Sequence, residues 1–198
     1  KTPIAGLRQL IQSGALSPRL LSMQVLRIEH YVDMMIYYVK MGHMNQDLKI
    51  GYYKIGDIVN EVVKKQSLFF IHKKISLQLE ELDEKILTDE KWTSFIIEQI
   101  LSNALKYTKD GSIHICMKNQ TLYIKDTGIG IKKEDLPRVF EKGFTGTNGR
   151  IDKKASGLGL YLVKNICDTL GYPIHIESII NQGTTVSICF EKKPLIVE

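Results

Sequence analysis

Gln99, Asn103 and Lys106 stand at i, i+4 and i+7 in the run Gln99-Ile-Leu-Ser-Asn103-Ala-Leu-Lys106-Tyr107-Thr. On a helix they share one face, while Ile97, Leu101, Ala104 and Leu105 take the opposite face and bury it. A polar stripe of this kind is ordinarily a solvated face. These residue types allow more: an amide oxygen beside a cation can hold Mg²⁺ while the ammonium meets phosphate oxygens. Farther along, Asp126-Thr-Gly128-Ile-Gly130 closes a stretch in which Leu122 and Ile124 share the parity of Asp126. A strand there points the carboxylate toward its interior face, where it is costly unless it meets hydrogen-bond donors. The exocyclic amine of adenine is one such donor, and the two glycines let the backbone turn tightly against a flat base. In isolation the same five residues read as a surface Asp-Gly turn.

A third stretch, Ser156-Gly157-Leu158-Gly159-Leu160, leads into a helical pattern. Glycines at a helix start leave N–H groups open at the positive end of the dipole, a phosphate cradle, although close packing explains most such pairs. Neither GxxxxGK[ST] nor a GxGxxG that follows a strand is present, which disfavours P-loop and dinucleotide folds. Each stretch is weak alone; the ordered trio describes a nucleotide pocket.

The elements that must position these stretches follow from periodicity. Ile4, Leu7 and Ile11 have helical spacing, Ser13-Gly14 interrupts it, and Ser17-Pro18 opens a second helix as cap and first-turn residue. In that helix Leu21, Val25, Ile28, Val32, Met35 and Val39 recur at alternating steps of four and three, the period of a supercoiled seam. The spacing predicts an antiparallel hairpin or bundle; a single helix on a globular core is the other reading. The pattern lapses from Gly42 to Gly51, marking a domain joint. Beyond it the sequence predicts a helix over 58–68, a strand over 75–79 and a long helix over 89–108 capped by Asp89. Strands follow at 112–117 and 121–126 around a turn at Lys118-Asn119-Gln120, then an irregular lid-like stretch over 132–156. A helix from about Leu158 to Leu170 ends at Gly171, and strands lie near 174–177 and 184–190. Mixed helices and antiparallel strands predict an α+β fold, a two-layer α/β sandwich.

Composition removes several classes. The 198 residues carry 27 Lys and Arg against 22 Asp and Glu, a formal charge of +5. The basic doublets are scattered and form no stripe, so no nucleic-acid partner is expected, whereas a polyanionic small ligand suits the balance. Cys116, Cys167 and Cys189 are odd in number, lack CxxC spacing and sit in apolar stretches, and read as buried free thiols. His30 is expected on the surface of the helical bundle; His43, His72, His114 and His175 show no metal spacing. No apolar run approaches the roughly 18–20 residues of a membrane span.

The three stretches resemble, in order, the ATP-binding motifs of bacterial sensor histidine kinases, whose fold is shared with type II topoisomerases and heat-shock chaperones. Asn103-Ala-Leu-Lys106-Tyr107 resembles the N box and Asp126-Thr-Gly128-Ile-Gly130 the first glycine box. Arg138-Val-Phe140-Glu-Lys142-Gly-Phe144 is similar to the F box, Gly157-Leu-Gly159-Leu160 to the second glycine box, and Gly183-Thr184 to the terminal Gly-Thr motif. The resemblance implies ATP and Mg²⁺ as ligands, with Asn103 on Mg²⁺ and Asn103 and Lys106 as catalytic residues. It also places Lys106 and Tyr107 toward phosphates and ribose and Asp126 on adenine, with Gly128, Gly130 and Ile131 among the nucleotide-binding residues. Phe140, Lys142, Thr145, Gly157, Leu158, Gly159, Leu160 and Thr184 complete the expected site, and residues 141–157 form the ATP lid.

Lys1-Thr2-Pro3-Ile4 resembles the tail of the phosphoacceptor motif His-Glu-x-Lys-Thr-Pro, which implies an acceptor histidine upstream of Lys1. The wording of Phe140-Glu-Lys-Gly-Phe-Thr-Gly and Gly159-Leu-Tyr-Leu-Val-Lys is similar to kinases paired with peptide-antibiotic ABC transporters. The resemblance further implies a response-regulator partner, a homodimer in the full-length protein and a cytoplasmic position beneath a membrane anchor. Two departures stand out. Many relatives carry a second Asn where this chain has Gln99, expected to assist at the metal. ATPases of the same fold place a glutamate there to activate water, and an amide cannot take a proton well. Thr145-Gly146 replaces an F-box Arg, leaving Lys142 or Arg150 as the expected lid cation. The expected organisation is a truncated dimerisation hairpin over 1–50 and an ATP-binding kinase domain over 51–198. A water-directed ATPase and a non-catalytic nucleotide-binding module are the alternatives.

Overall fold

The structure, a computed structural model, describes residues 3–14, 17–146 and 156–191. The helices are α1 (Pro3–Gln12), α2 (Pro18–Lys40), the single turn α3 (Met44–Asp47), α4 (Ile55–Lys73), α5 (Glu90–Tyr107) and α6 (Gly159–Leu170). The strands are β1 (Ile50–Lys54), β2 (Ser76–Glu80), β3 (Lys85–Asp89), β4 (Ser112–Lys118), β5 (Thr121–Asp126), β6 (Ile174–Ile179) and β7 (Gly183–Cys189). Five strands form one sheet in the order β2-β4-β5-β7-β6, and β1 pairs separately with β3. All pairings are antiparallel except β2 with β4, so the edge strand departs from the all-antiparallel expectation.

Alternation builds the layers. Ile113, Ile115 and Met117 of β4 and Leu122 and Ile124 of β5 are buried, while the residues between them face away. Their inner face receives α4, α5 and α6. Asn119 and Gln120 turn β4 into β5 with φ of 49° and 56°, the left-handed pair that matches strand twist in a two-residue hairpin. Cys167 is buried, but Cys116 and Cys189 are only half-buried because they fall on the opposite strand parity; all three are free thiols.

Helix α5 is buried over much of its length, Thr93 and Gln99 included, and contributes heavily to the core. Asp89 starts it: one carboxylate oxygen accepts the Trp92 N–H at 3.0 Å, and the other accepts the Lys49 N–H at 2.7 Å. This one side chain caps α5 and fastens the chain entering β1. The sequence reading missed β1 and β3, which are only five residues each and lie outside the runs of apolar alternation.

Helix α2 opens as expected, with Ser17 Oγ accepting the Leu20 N–H at 3.2 Å and Pro18 in the first turn. Its apolar seam does not pack inward. Val25, Val32, Met35 and Val39 are exposed, Val39 at 74%. A different row faces the rest of the protein: Met34 is buried in the shared core, and Tyr37 stacks on Phe95 with centroids 4.0 Å apart and meets the edge of Trp92 at 4.9 Å. Helix α1 lies against α2, with Gly6 facing Gln24. No helix among the described residues is long and apolar enough to cross a membrane.

Asp89→Ala removes a cap and leaves the Lys49 and Trp92 N–H groups without their acceptor. It is expected to cost about 2 kcal/mol in urea unfolding, and Asp89→Asn, which keeps an acceptor oxygen, less.

Candidate functional site

The last turns of α5, the β5–glycine turn and the start of α6 meet around one cleft of about 1160 Å³ that continues along α2. Of the residues expected from the sequence, Gln99, Asn103, Lys106, Tyr107, Asp126, Gly130, Ile131, Thr145, Gly157, Gly159, Leu160 and Thr184 line it. Gly128, Phe140, Lys142 and Leu158 are not among its lining residues. Leu158 packs against the core, and Phe140 is half-buried beside the cleft region rather than in it.

Lys142, expected as a lid cation, donates to Tyr38 Oη of α2 at 2.6 Å and lies 4.9 Å from that ring's centroid. Its ammonium is held outside the cleft by an aromatic that sequence order alone could not bring near. The alternative, Arg150, and most of the 141–157 lid lie outside the described residues. Arg138 is likewise occupied, bonded to Glu141 at 2.9 Å and stacked over Phe144. His30 is not a free surface side chain: its Nδ1 lies 3.2 Å from Glu98 Oε1, across the α2–α5 contact.

Asp126 is buried at the end of β5. Its Oδ1 accepts the Gly128 N–H at 2.8 Å, and the Thr184 N–H also donates to the carboxylate. Burial nevertheless raises its pKa above the ordinary aspartate value, outweighing those two donors, because desolvation penalises the charged form. A further donor arriving from the cleft would repay that penalty.

The glycines around it answer to the protein backbone. A Cβ on Gly128 would stand 2.6 Å from Tyr107 O, and one on Gly130, where φ is 68°, would stand 2.2 Å from Ile179 O. Close approach is therefore the reason for both, but to α5 and the β6–β7 turn rather than to a flat base. The Ile129 N–H donates to Tyr107 O at 3.2 Å, and the Asn181 N–H to Ile129 O at 2.9 Å. Ser178, absent from the sequence expectation, frames the same wall. Its hydroxyl accepts the Ile131 N–H at 2.8 Å and lies 2.9 Å from Thr184 Oγ1. Only the β6–β7 pairing, which sets Ser178 opposite Thr184, shows it.

The start of α6 lines the same cleft as Asp126. Leu158 at the N-cap offers no side-chain acceptor to the first turn. Gln99 lies beneath: it is 97% buried rather than on a solvated face, its Oε1 would be 3.0 Å from a Cβ on Gly159, and its Nε2 has no partner among the described residues. Lys106 turns its ammonium to Tyr107 Oη at 3.1 Å, at the cleft wall.

These residues fit a metal–nucleotide. Gln99, the uncapped start of α6 and the under-compensated Asp126 carboxylate line one cleft, and the unpartnered Gln99 Nε2 is an N–H donor suited to an acceptor oxygen rather than to a cation. No cluster of three or more His, Cys, Asp or Glu suited to a metal exists among the described residues. The donor set suits Mg²⁺ held by an amide oxygen and ligand phosphates, not by a protein cage.

Comparisons with known proteins give the family. The family described as "Histidine kinase-, DNA gyrase B-, and HSP90-like ATPase" matches residues 88–194. The chain is 35% identical over 205 residues to sensor protein kinase GraS of Staphylococcus aureus and 34% identical to sensor histidine kinase GraS of Staphylococcus epidermidis. Each alignment covers all of this chain and 59% of the relative, so the chain spans about three-fifths of the length of the curated relatives it matches. Among solved structures, Acinetobacter baumannii histidine kinase AdeS aligns with a TM-score of 0.66 at 22% identity, over 96% of both chains. ShkA, solved full-length in complex with AMPPNP, aligns with a TM-score of 0.66 at 20% identity over 98% of this chain and 44% of that one. At these identities the structural likeness concerns the fold.

Asp126→Asn separates stability from recognition. A raised folded pKa means that the site favours the protonated acid, so this stabilising contribution is present at low pH and lost as pH rises through the folded value. The Asn variant should therefore melt higher than wild type at neutral pH, with the gap closing as pH falls into the ordinary aspartate range. Its affinity for Mg·ATP should fall by about tenfold. Thermal melts from pH 4 to 8 and calorimetry measure the two effects.

Proposed function

The chain belongs to the histidine kinase-, DNA gyrase B- and HSP90-like ATPase family, and we propose that it is the kinase core of a bacterial sensor histidine kinase. Its reaction is transfer of the ATP γ-phosphoryl to a histidine, for relay to an aspartate of a response regulator. One observation carries the reading: the buried Asp126 carboxylate, the uncapped start of α6 and Asn103 line one cleft.

Each part of the cleft then has a task. Asp126 accepts the adenine amine and is repaid for its burial. Asn103 holds Mg²⁺ through its amide oxygen, with Gln99 behind it. Lys106 and the first N–H groups of α6 take phosphate oxygens, and Tyr107 borders the ribose. When bound, Mg·ATP supplies a phosphoryl group whose transfer is governed by positioning and charge neutralisation. Gln99 stands where a proton acceptor for water would be needed, and an amide is a poor one. The geometry thus favours an acceptor that brings its own nucleophilic nitrogen. The acceptor is assigned to the motif that Lys1-Thr2-Pro3 resembles.

Residues 1–50 are read as part of a dimerisation hairpin and 51–198 as the ATP-binding domain. The exposed seam of α2 supports homodimerisation in the whole protein. Similarity to the sensor kinase GraS supports a sensor with a cognate response regulator, the resemblance to sensor histidine kinases supports a membrane anchor, and the F-box wording supports an ABC-transporter partner.

The test uses radiolabelled ATP. These 198 residues should bind Mg·ATP without labelling themselves, whereas a chain extended upstream through a His-Glu-x-Lys-Thr-Pro motif should gain an acid-labile, base-stable phosphoryl group. Asn103→Ala should abolish that label. Equal labelling of the shorter chain, or steady ADP release with no phosphohistidine, would overturn the assignment.

A further inference from the structure

Five consecutive carbonyls end helix α5, from Ala104 to Thr108, and every one has a donor. Ala104 O accepts the Thr108 N–H at 3.0 Å and Tyr107 O accepts the Ile129 N–H at 3.2 Å. The other three are taken by one side chain from another helix: Lys73 Nζ donates to Leu105 O, to Lys106 O at 3.2 Å and to Thr108 O at 2.8 Å. A helix end usually meets its orphan carbonyls with water or a left-handed cap. Here Thr108 is extended, with φ of −93° and ψ of 122°, so no such cap forms and an ammonium replaces it.

Lys73 is itself held rigidly. It is the last residue of α4; Lys74 then turns left-handed at φ 55°, and the Ile75 N–H closes on Phe70 O at 3.1 Å. The next residue, Ser76, donates its N–H to Gly111 O at 3.0 Å, fixing the chain beside β4. The ammonium is therefore aimed at the turn of α5 that presents Lys106 and Tyr107 to the cleft. It also places a positive charge at the negative end of the α5 dipole, where the phosphates of a ligand would otherwise meet the bare carbonyl end of a helix.

We propose that Lys73 is a positioning residue for the phosphate end of the nucleotide site, acting through the last turn of α5 to hold Lys106 on the cleft. This rests on the nucleotide reading above. The carbonyls that Lys73 holds are those of Leu105, Lys106 and Thr108, whereas the base-recognition wall meets this turn at Tyr107 O, so its influence falls chiefly on the charged end of the ligand.

Calorimetric titration of Mg·AMPPNP and of adenosine tests this on wild type, Lys73→Met, Lys73→Arg, Lys106→Met and the Lys73→Met/Lys106→Met double variant. Wild type is measured first: no binding of either ligand sinks the nucleotide reading itself, and this proposal with it. With wild type binding both, Lys73→Met should lose about tenfold for Mg·AMPPNP and under about twofold for adenosine. Lys73→Arg should recover most of that loss, and the double variant should bind no more weakly than Lys106→Met alone. Should Lys73→Met not fold, Lys73→Gln replaces it in the cycle and should show a smaller loss with the same selectivity. An equal loss for adenosine, additive losses in the double variant, or unchanged binding of Mg·AMPPNP overturns the proposal.

Discussion

The carbonyl of Tyr107 accepts the Ile129 N–H at 3.2 Å, and a side chain on Gly128 would overlap that same carbonyl. This contact joins the last turn of the amide-and-lysine helix to the acidic glycine turn, two stretches about twenty residues apart in the chain. Much of the site follows from it. With α5 ending there, Asn103 and Lys106 face the space beside Asp126, and α6 must start opposite them. The glycines are needed because two backbones touch, so their primary task is to assemble the wall.

The electrostatics are organised around that junction. The buried Asp126 carboxylate receives two backbone donors and is still pushed toward its protonated form. The carbonyl end of α5 is neutralised from outside by Lys73. The first turn of α6 is left without a side-chain cap. A cleft with an under-compensated carboxylate at one end and open N–H groups at the other prefers a ligand carrying an amine at one end and negative charge at the other.

Helix α2 shows how a periodic pattern misleads about a single chain. Its 3.5-residue seam is real in the sequence, yet Val25, Val32, Met35 and Val39 are exposed, while Met34 and Tyr37, off that seam, dock onto the core. The helix carries two apolar rows, one docked within the chain and one exposed. The same docking draws Lys142 to Tyr38 of α2 and His30 of α2 to Glu98 of α5, so a cation expected at the lid and a histidine expected on the bundle surface are both committed to the contacts of α2.

What the chain's letters settled by themselves were features written locally. These are the span of α5 and its Asp89 cap, the β4–β5 hairpin at Asn119-Gln120, the inward parity of Asp126 and the left-handed stop at Gly171. Each is a matter of periodicity, capping or φ, and so of neighbours in sequence. The tertiary structure alone decided that Gln99 is buried rather than solvated, that Ser178 stands beside Thr184, that Lys73 reaches the end of α5 and that Lys142 leaves the cleft. Those outcomes depend on which elements pack together. A helix face or a long cationic side chain has no fixed environment until strand register and helix docking supply one.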